Sequence, residues 1–287
     1  MEKSRRFVIG DIHGRFNPLK KVLKLAKFDK DKDLLIVLGD IVDGGFNTDK
    51  VLEQLLKIKN VVFITGNHDQ WFIDYTFKGR TPSEWINQGG ANTLNSYGGK
   101  VIPGKRFRDK PILIDVNGVK IPKKHIEFFA NRLYYFEFEG MLFVHGGYDP
   151  SKPIAEQTHD ILLWDRDLIA FAGHSKIPKY EKVFIGHTTT QHIEREWVNY
   201  KCRDCEKEWS LEINTFEDLR NSKQDISCEK CSSTNIFQAL GCVNPIKIGN
   251  LFCLDTGAGW NGKLSIMDID SEEFYQSELQ EPAITKE

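Results

Sequence analysis

Five consecutive apolar residues, Leu34 to Leu38, run straight into Gly39-Asp40-Ile41-Val42-Asp43-Gly44-Gly45. A run without polar alternation is the pattern of a strand covered on both faces, as strands of parallel sheets are. Because the run closes on Gly-Asp, a carboxylate sits at the mouth of a buried strand, where open α/β sheets place their ligands. The neighbouring sequence repeats the device. Arg6-Phe7-Val8-Ile9 ends in Gly10-Asp11-Ile12-His13-Gly14, and Val61-Val62-Phe63-Ile64 ends in Thr65-Gly66-Asn67-His68-Asp69. Helical stripes lie between these strands. One is Leu19, Val22, Leu23 and Ala26, with Asn17-Pro18 as its N-cap and first-turn proline; the other is Val51, Leu52, Leu55, Leu56 and Ile58, with Thr48 as N-cap. Right-handed crossovers bring all three strand mouths to one edge of a sheet.

Farther along, the periodicity weakens. From Trp71 to about Asn131 we expect a mostly helical insertion, with helical pieces at 70–75, 91–97 and 123–133 broken by Gly89-Gly90 and Gly98-Gly99. A hairpin of strands follows over 134–138 and 141–144, its second strand closing on His145-Gly146-Gly147. A helical stretch then carries Leu163-Trp164-Asp165-Arg166, and the short strand Val183-Phe184-Ile185 closes on Gly186-His187-Thr188. A hairpin at 246–248 and 251–254 leads to Asp255-Thr256-Gly257-Ala258 and a last strand over 264–269. The polar tail after Asp270 is expected to fray. No internal repeat or low-complexity tract is present.

Composition excludes some functions. A formal net charge of -2 argues against binding nucleic acid through bulk positive charge. The apolar run behind the basic start is only Phe7-Val8-Ile9, too short for a signal-peptide core, and no stretch is long enough to span a bilayer. The expectation is a cytoplasmic protein with no membrane partner. Four of the six cysteines form two pairs, Cys202-x-x-Cys205 and Cys228-x-x-Cys231, separated by 22 residues. Without an export signal, that spacing reads as a structural Zn²⁺ site of the zinc-ribbon kind, not as a disulfide framework. A segment this short needs a metal staple, since it cannot build a large core. Acidic residues outnumber basic ones between Asn199 and Cys242, so a structural staple or a protein contact suits this ribbon better than nucleic acid. Cys242 and Cys253 read as buried apolar residues. His125, His159, His174 and His192 read as surface or internally satisfied histidines, and Trp164, Trp260 and Tyr148 as packing residues that could instead line a pocket.

Asp11, His13, Asp40, Asn67, His145 and His187 together are carboxylate, imidazole and amide ligands at strand ends, a mixture that Mn²⁺, Fe²⁺ and Zn²⁺ accept. A carboxylate shared by two ions holds them about 3.5–4 Å apart, as in two-metal hydrolases.

The ordered series Gly-Asp-Ile-His-Gly, Gly-Asp-Ile-Val-Asp, Gly-Asn-His-Asp, His-Gly-Gly and Gly-His-Thr resembles the phosphoprotein phosphatase branch of the calcineurin-like metallophosphoesterases, closest in style to the bacterial and bacteriophage lambda type of serine/threonine phosphatase. Leu163-Trp164-Asp165-Arg166 and Asp255-Thr256-Gly257-Ala258 extend the resemblance over most of the chain. It implies an α/β (α+β) fold, a two-sheet β-sandwich flanked by helices. Residues 1–287 would form the catalytic domain, with the zinc ribbon inserted at 199–242. It implies that Asp11 and His13 bind one divalent ion, Asp40 bridges two, and Asn67, His145 and His187 complete the second; Mn²⁺ is the expected metal, with Fe or Zn as alternatives. A hydroxide bridging the metals would attack phosphorus, His68 would protonate the leaving oxygen, Asp43 would orient His68, and Arg166 would clamp the phosphate.

One departure stands out. The family carries arginine directly after the second aspartate of Gly-Asp-x-x-Asp, and this chain has Gly44. Arg15, Arg80, Arg106 and Arg108 are candidate replacements. A milder departure is Asp69, where eukaryotic members have glutamate. The leading expectation is phosphomonoester hydrolysis on phosphoserine or phosphothreonine. The rivals are a nucleotide or dinucleoside-polyphosphate hydrolase or a phosphodiesterase, and, in another class, a non-catalytic scaffold that recruits a partner through the ribbon.

Overall fold

The computed structural model describes residues 4–105, 109–212 and 226–281. Its first half lays down β1 (Arg6–Ile9), α1 (Phe16–Leu25), β2 (Leu34–Val37), α2 (Thr48–Leu55), β3 (Asn60–Phe63) and α3 (Asn67–Lys78). β1, β2 and β3 pair in parallel, with Val8 opposite Ile36 and Ile36 opposite Val62. On the far side of β1 the strand Ser265–Asp268 runs antiparallel, followed by Phe274–Gln276, giving a five-stranded sheet. A second five-stranded sheet has the order Ile246–Ile248, Leu251–Cys253, Lys182–Ile185, Met141–Val144, Tyr135–Phe138. Among the described residues no helix is long and apolar enough to cross a membrane.

The unbroken apolar runs are explained by how alternate residues divide between cores. Successive side chains on a strand point to opposite faces. Val8, Ile36 and Leu38 meet Phe143, Phe184 and Phe252 in the seam between the two sheets. Their neighbours Phe7, Ile9, Leu35 and Val37 face α1, α2 and α3. Leu142, Val144, Val183 and Ile185 face the helices His159–Trp164 and Asp167–His174. The result is the layered order helix, sheet, sheet, helix, the calcineurin-like two-sheet architecture expected from sequence. In the seam, Phe184 stacks between Phe143 and Phe252 with ring centroids 4.9 and 4.8 Å apart. Phe184→Ala is therefore expected to lower unfolding free energy by about 3–5 kcal/mol in denaturant titration; a loss below about 1 kcal/mol would show that the seam collapses around the gap.

Several local expectations are revised. α1 starts at Phe16, ahead of Asn17-Pro18, and Arg15 at its N-cap makes no side-chain capping bond. Thr48 lies inside α2; Asn47 is the N-cap, and Thr48 Oγ1 instead faces Thr93 Oγ1 at 3.4 Å. The insertion is less helical than expected. After Ser83–Trp85, a π-helical turn at Ile86–Gly90 and a helix at Ala91–Ser96, it forms a two-stranded ribbon of Lys100–Ile102 and Leu113–Asp115 before the helix Lys123–Ala130. The Asn95 side chain brackets Val101, donating to its carbonyl and accepting from its N–H, and so sets the first strand. From Asp270 to Glu281 the tail does not fray. Phe274–Gln276 pairs with Ser265–Asp268, Leu279 is buried, and Glu281 makes a two-point ion pair with Arg203.

The cysteine-bearing segment forms a three-stranded sheet, Glu208–Glu212, Trp197–Cys202, Ile236–Leu240, around a small core of Phe237, Ala239, Val243 and Leu279. It is tied to the body by its neighbours. Glu208 pairs with Lys263 and accepts the Leu279 N–H, while the Glu281 carbonyl receives Arg15.

Candidate active site

Four of the candidate residues sit in turns that the backbone reaches only under constraint. His13, Asp40, Asp43 and His187 all have positive φ, at 47, 46, 70 and 62°. Such conformations are sparse for side-chain-bearing residues and gather where function over-determines the backbone. Close approach adds a second constraint: a Cβ at Gly39 would stand 2.6 Å from Gly66 N and 2.7 Å from the His145 ring, so the β2 and β3 turns fit together only without one.

Asp40 is the hub. Its Oδ1 accepts the His68 N–H at 3.0 Å, and its Oδ2 lies 3.5 Å from His145 Nε2 and 3.8 Å from His13 Nε2. Ligand atoms of Asp11, Asp40 and His145 all fall within 4.8 Å of one another. Asn67 Oδ1 lies 2.9 Å from His145 Nε2 and 2.8 Å from His187 Nδ1. The six sequence-predicted ligands are thus brought together, all buried.

Electrostatics and hydrogen bonds fit a cationic guest. Burial, with Asp255 and Asp40 nearby, pushes the Asp11 carboxyl well above the usual carboxylate range. Burial also opposes ionisation of Asp40, but His145, His68, His13 and His187 outweigh it and bring Asp40 to about 2. Burial lowers His13 to about 4 against the pull of Asp40. The Nδ1 atoms of His13 and His145 face the carbonyls of Val42 and Leu38 at 3.0 and 2.7 Å, which fixes a tautomer with a free lone pair on each Nε2. His187 Nε2 is buried with no hydrogen-bond partner among the described residues. Crowded carboxylates, imidazole lone pairs and an orphaned ring nitrogen form a donor set suited to divalent metal.

Beside the hub, His68 Nδ1 lies 2.7 Å from Asp43 Oδ2. Burial lowers the His68 pKa, but Asp40 and Asp43 more than reverse that and carry it to about 9. Asp43 is itself gripped. Trp85 Nε1 donates to both its oxygens at 3.1 and 3.0 Å, and Thr93 Oγ1 donates to Oδ1 at 2.7 Å while accepting the Asp43 N–H. Asn92 Nδ2 donates to the Gly44 carbonyl. The insertion therefore anchors the orienting carboxylate. Sequence reasoning did not find Trp85, Asn92 and Thr93; the only signal was a lone tryptophan beside Gly89-Gly90. Gly44 also gains a structural reason: its φ is +70°, and a Cβ there would stand 3.0 Å from the Gly259 carbonyl and 3.1 Å from His13 Cβ. Asp69 links two mouths, accepting from Gly66 N and Ile41 N at 2.9 Å each.

Arg166 is exposed at the rim, its Nη1 donating to Thr188 Oγ1 beside His187. Of the candidates to replace the missing arginine, Arg15 is committed to the carbonyls of Ala258, Gly259 and Glu281. Arg80 sits at an exposed helix end, 3.8 Å from Asp74; Arg106 and Arg108 lie outside the described residues. Three tryptophans flank the cluster: Trp71 against His68, Trp164 against His187 and Trp260 against His13, with centroids 5.0, 5.7 and 6.2 Å apart. Trp164 and Trp260 are 44% and 41% exposed, so neither is the packing residue that was its default reading, whereas Tyr148 is buried.

Away from this cluster the four cysteine sulfurs converge. Cys202 Sγ lies 3.5 Å from Cys231 Sγ and Cys205 Sγ 3.6 Å from Cys228 Sγ. A disulfide needs about 2.05 Å, whereas the edge of a tetrahedron with Zn–S bonds of about 2.3 Å is about 3.8 Å. The residue after each pair, Glu206 and Ser232, has φ of +59°, so the two loops turn alike.

The chain belongs to the calcineurin-like phosphoesterase family, metal-dependent hydrolases of phosphoric esters; the family model matches residues 4–201. Among individual relatives, the symmetrical bis(5'-nucleosyl)-tetraphosphatase of Coxiella burnetii (strain Dugway 5J108-111) is 36% identical over 67 residues, a match covering 23% of this chain and 23% of that protein. The enzyme of the same name from Pseudomonas fluorescens (strain SBW25) is 24% identical over 302 residues, covering 96% of this chain and 95% of its own length. Serine/threonine-protein phosphatase 1 of Salmonella typhimurium is 36% identical over 84 residues, 29% of this chain and 38% of that protein.

Proposed function

We propose that this protein hydrolyses phosphoesters at a dinuclear metal centre. Asp11, His13, Asp40, Asn67, His145 and His187 would hold two divalent ions, with Asp40 between them and Mn²⁺ as the expected metal. The observation that carries this reading is the buried hub itself: carboxylates packed against imidazoles whose outer nitrogens are fixed by backbone carbonyls, leaving lone pairs turned inward. Bound metals would supply positive charge for phosphate oxygens and acidity for water at neutral pH.

The remaining roles belong to the chain's own groups. Arg166 at the rim binds the phosphate, a task for which its planar fork is suited. His68, protonated through its contact with Asp43, donates a proton to the leaving oxygen as the ester bond breaks. Asp43 holds the ring in the donating tautomer; Trp85 and Thr93 hold Asp43. Trp71 and Trp164 cover the flanks and limit water around His68 and His187.

Phosphoserine or phosphothreonine in a protein and the phosphate chain of a nucleotide both fit this chemistry; they differ in what the leaving oxygen carries. We further propose that Cys202, Cys205, Cys228 and Cys231 hold one structural Zn²⁺, the sulfur spacings being those of a closed tetrahedral site.

The test is turnover after EDTA treatment and Mn²⁺ addition on an aryl monoester, an aryl diester, a phosphopeptide and a dinucleoside polyphosphate. Metal-dependent hydrolysis of at least one ester is expected. No turnover across the panel would favour the scaffold reading over the enzyme.

A further inference from the structure

The two-stranded ribbon of the insertion pairs Lys100–Ile102 with Leu113–Asp115 and is finished on one side only. Val101 is buried in the helix-side core, and the Asn95 side chain closes its outward N–H and carbonyl, so the Lys100–Ile102 edge is capped. On the other side, among the described residues, Leu113–Asp115 has no strand beyond it, which leaves one sheet edge open. Ile102 and Leu113 oppose each other and share the face turned away from Val101. Ile102, Ile112, Leu113 and Ile114 are between 41% and 66% exposed, four aliphatic side chains in one hairpin. Charge gathers in the same place. From Lys100 to Lys124 there are eight Lys/Arg against two Asp/Glu, in a chain whose net charge is -2. Lys123 and Lys124 pair with Glu127 and Glu53, but no ion pair among the described residues involves Lys100, Lys105, Lys110 or Lys120. The hairpin is held in place by Asn87. Its Nδ2 donates to the Asp109 carbonyl at 2.8 Å and its Oδ1 accepts the Gly104 N–H at 2.7 Å, tying both arms to the π-helical turn at Ile86–Gly90.

We propose that this hairpin is a docking edge for a protein partner: an extended acidic segment with aliphatic residues at alternate positions adds a third strand beside Leu113–Asp115. Such docking is independent of what the metal cluster hydrolyses. Three features select this occupant. An open edge presents backbone donors and acceptors in a row, and another extended backbone answers both kinds. Side chains of an added strand alternate in direction, so every second residue lies over the exposed face of Ile102 and Leu113. The unpaired lysines around the hairpin favour carboxylates on the incoming chain and disfavour a basic one. A bilayer surface would meet the charge and the aliphatic groups but leave the backbone edge unanswered. The same lysines set two copies of the hairpin against each other by like charge, which argues against self-association through this edge.

The experiment measures, by fluorescence anisotropy on the full chain, the binding of a labelled peptide of alternating glutamate and valine. Two controls run beside it: a lysine–valine peptide of the same pattern, and the glutamate–valine peptide N-methylated throughout. The acidic peptide is expected to bind at least about tenfold more tightly than either control, the lysine peptide failing on charge and the methylated one on backbone pairing. Lys110→Glu combined with Lys120→Glu should weaken it about tenfold, and Leu113→Ser about threefold, in variants whose melting curves match the native one. Should Leu113→Ser melt below the native chain, the charge-reversed pair and the methylated peptide decide the matter. Equal binding of the acidic and basic peptides, or none of either, overturns the proposal, as does acidic-peptide binding that the substitutions leave unchanged. Undiminished binding of the methylated peptide overturns strand addition. Cosedimentation with phosphatidylserine vesicles that needs Lys110, Lys120 and Leu113, without binding of the acidic peptide, would overturn it in favour of a membrane contact. Dimerisation that is lost in Leu113→Ser, without binding of the acidic peptide, would overturn it in favour of a second copy of the chain.

Discussion

His68→Ala lowers kcat on alkyl phosphoesters by about 10²- to 10⁴-fold, while metal content by elemental analysis stays unchanged. The size follows from what the residue lacks as well as from what it has. Its ring Nδ1 is held by Asp43 and its backbone N–H by Asp40, but none of the six ligand positions is its own. Loss of the ring therefore removes a proton donor and leaves the donor set complete. An alkoxide leaves poorly without that proton, so the effect is large on serine-like esters and small on p-nitrophenyl phosphate, whose leaving group needs no protonation. In the native protein the rate on alkyl esters should fall as pH rises through the His68 pKa, which the Asp43 contact holds up against burial. The sign is that of a group active in its protonated form, and the basic limb should vanish in His68→Ala. Native turnover of alkyl esters by the variant would rule out the acid role.

Changing Cys202 and Cys228 together to serine removes one zinc per chain and unfolds the ribbon, leaving the Mn²⁺-supported cluster loaded. Among the described residues the hydrophobic core of this segment is Phe237, Ala239, Val243 and Leu279. Zinc held by four thiolates contributes about 10–16 kcal/mol in isolated fingers, far more than four side chains supply by burial. Limited proteolysis should then cut within 199–242 at protease levels that leave the native chain intact. Zinc content unaffected by the substitutions would sink the metal-staple reading.

Much of this could be read from the residues in order, and the reason is local. Where a strand is covered on both faces its composition is unbroken, and at four of the five strand mouths a glycine precedes the ligand. Gly39-Asp40 and Gly66-Asn67 show both signs in adjacent positions, so β1, β2 and β3 and the residues at their mouths were legible. Trp85 and Thr93 were not, because their partner Asp43 lies 42 and 50 positions earlier in the chain. Nothing in the sequence around Trp85 distinguishes an indole that grips a carboxylate from one that fills a core. The strand Phe274–Gln276 was hidden for a related reason. Its intrinsic pattern is weak, and the edge offered by Ser265–Asp268 overrides it. Gly44 was visible as a departure, but its cause, contact with the Gly259 carbonyl, is again non-local.

Strand order sets a timetable for making this molecule. β1 lies between β2 and Ser265–Asp268, and Lys182–Ile185 lies between Met141–Val144 and Leu251–Cys253. A nascent chain that has emerged as far as residue 200 therefore holds three of the five strands of each sheet, with an unpaired edge on both, although all six candidate ligands have already been synthesised. Long-range pairings of this kind are slow to form and expose apolar edges while they wait. The turns carrying Asp11 and His187 are completed only when Leu251–Cys253 and Ser265–Asp268 close those edges. The centre would thus be assembled late, after the ribbon has left the ribosome.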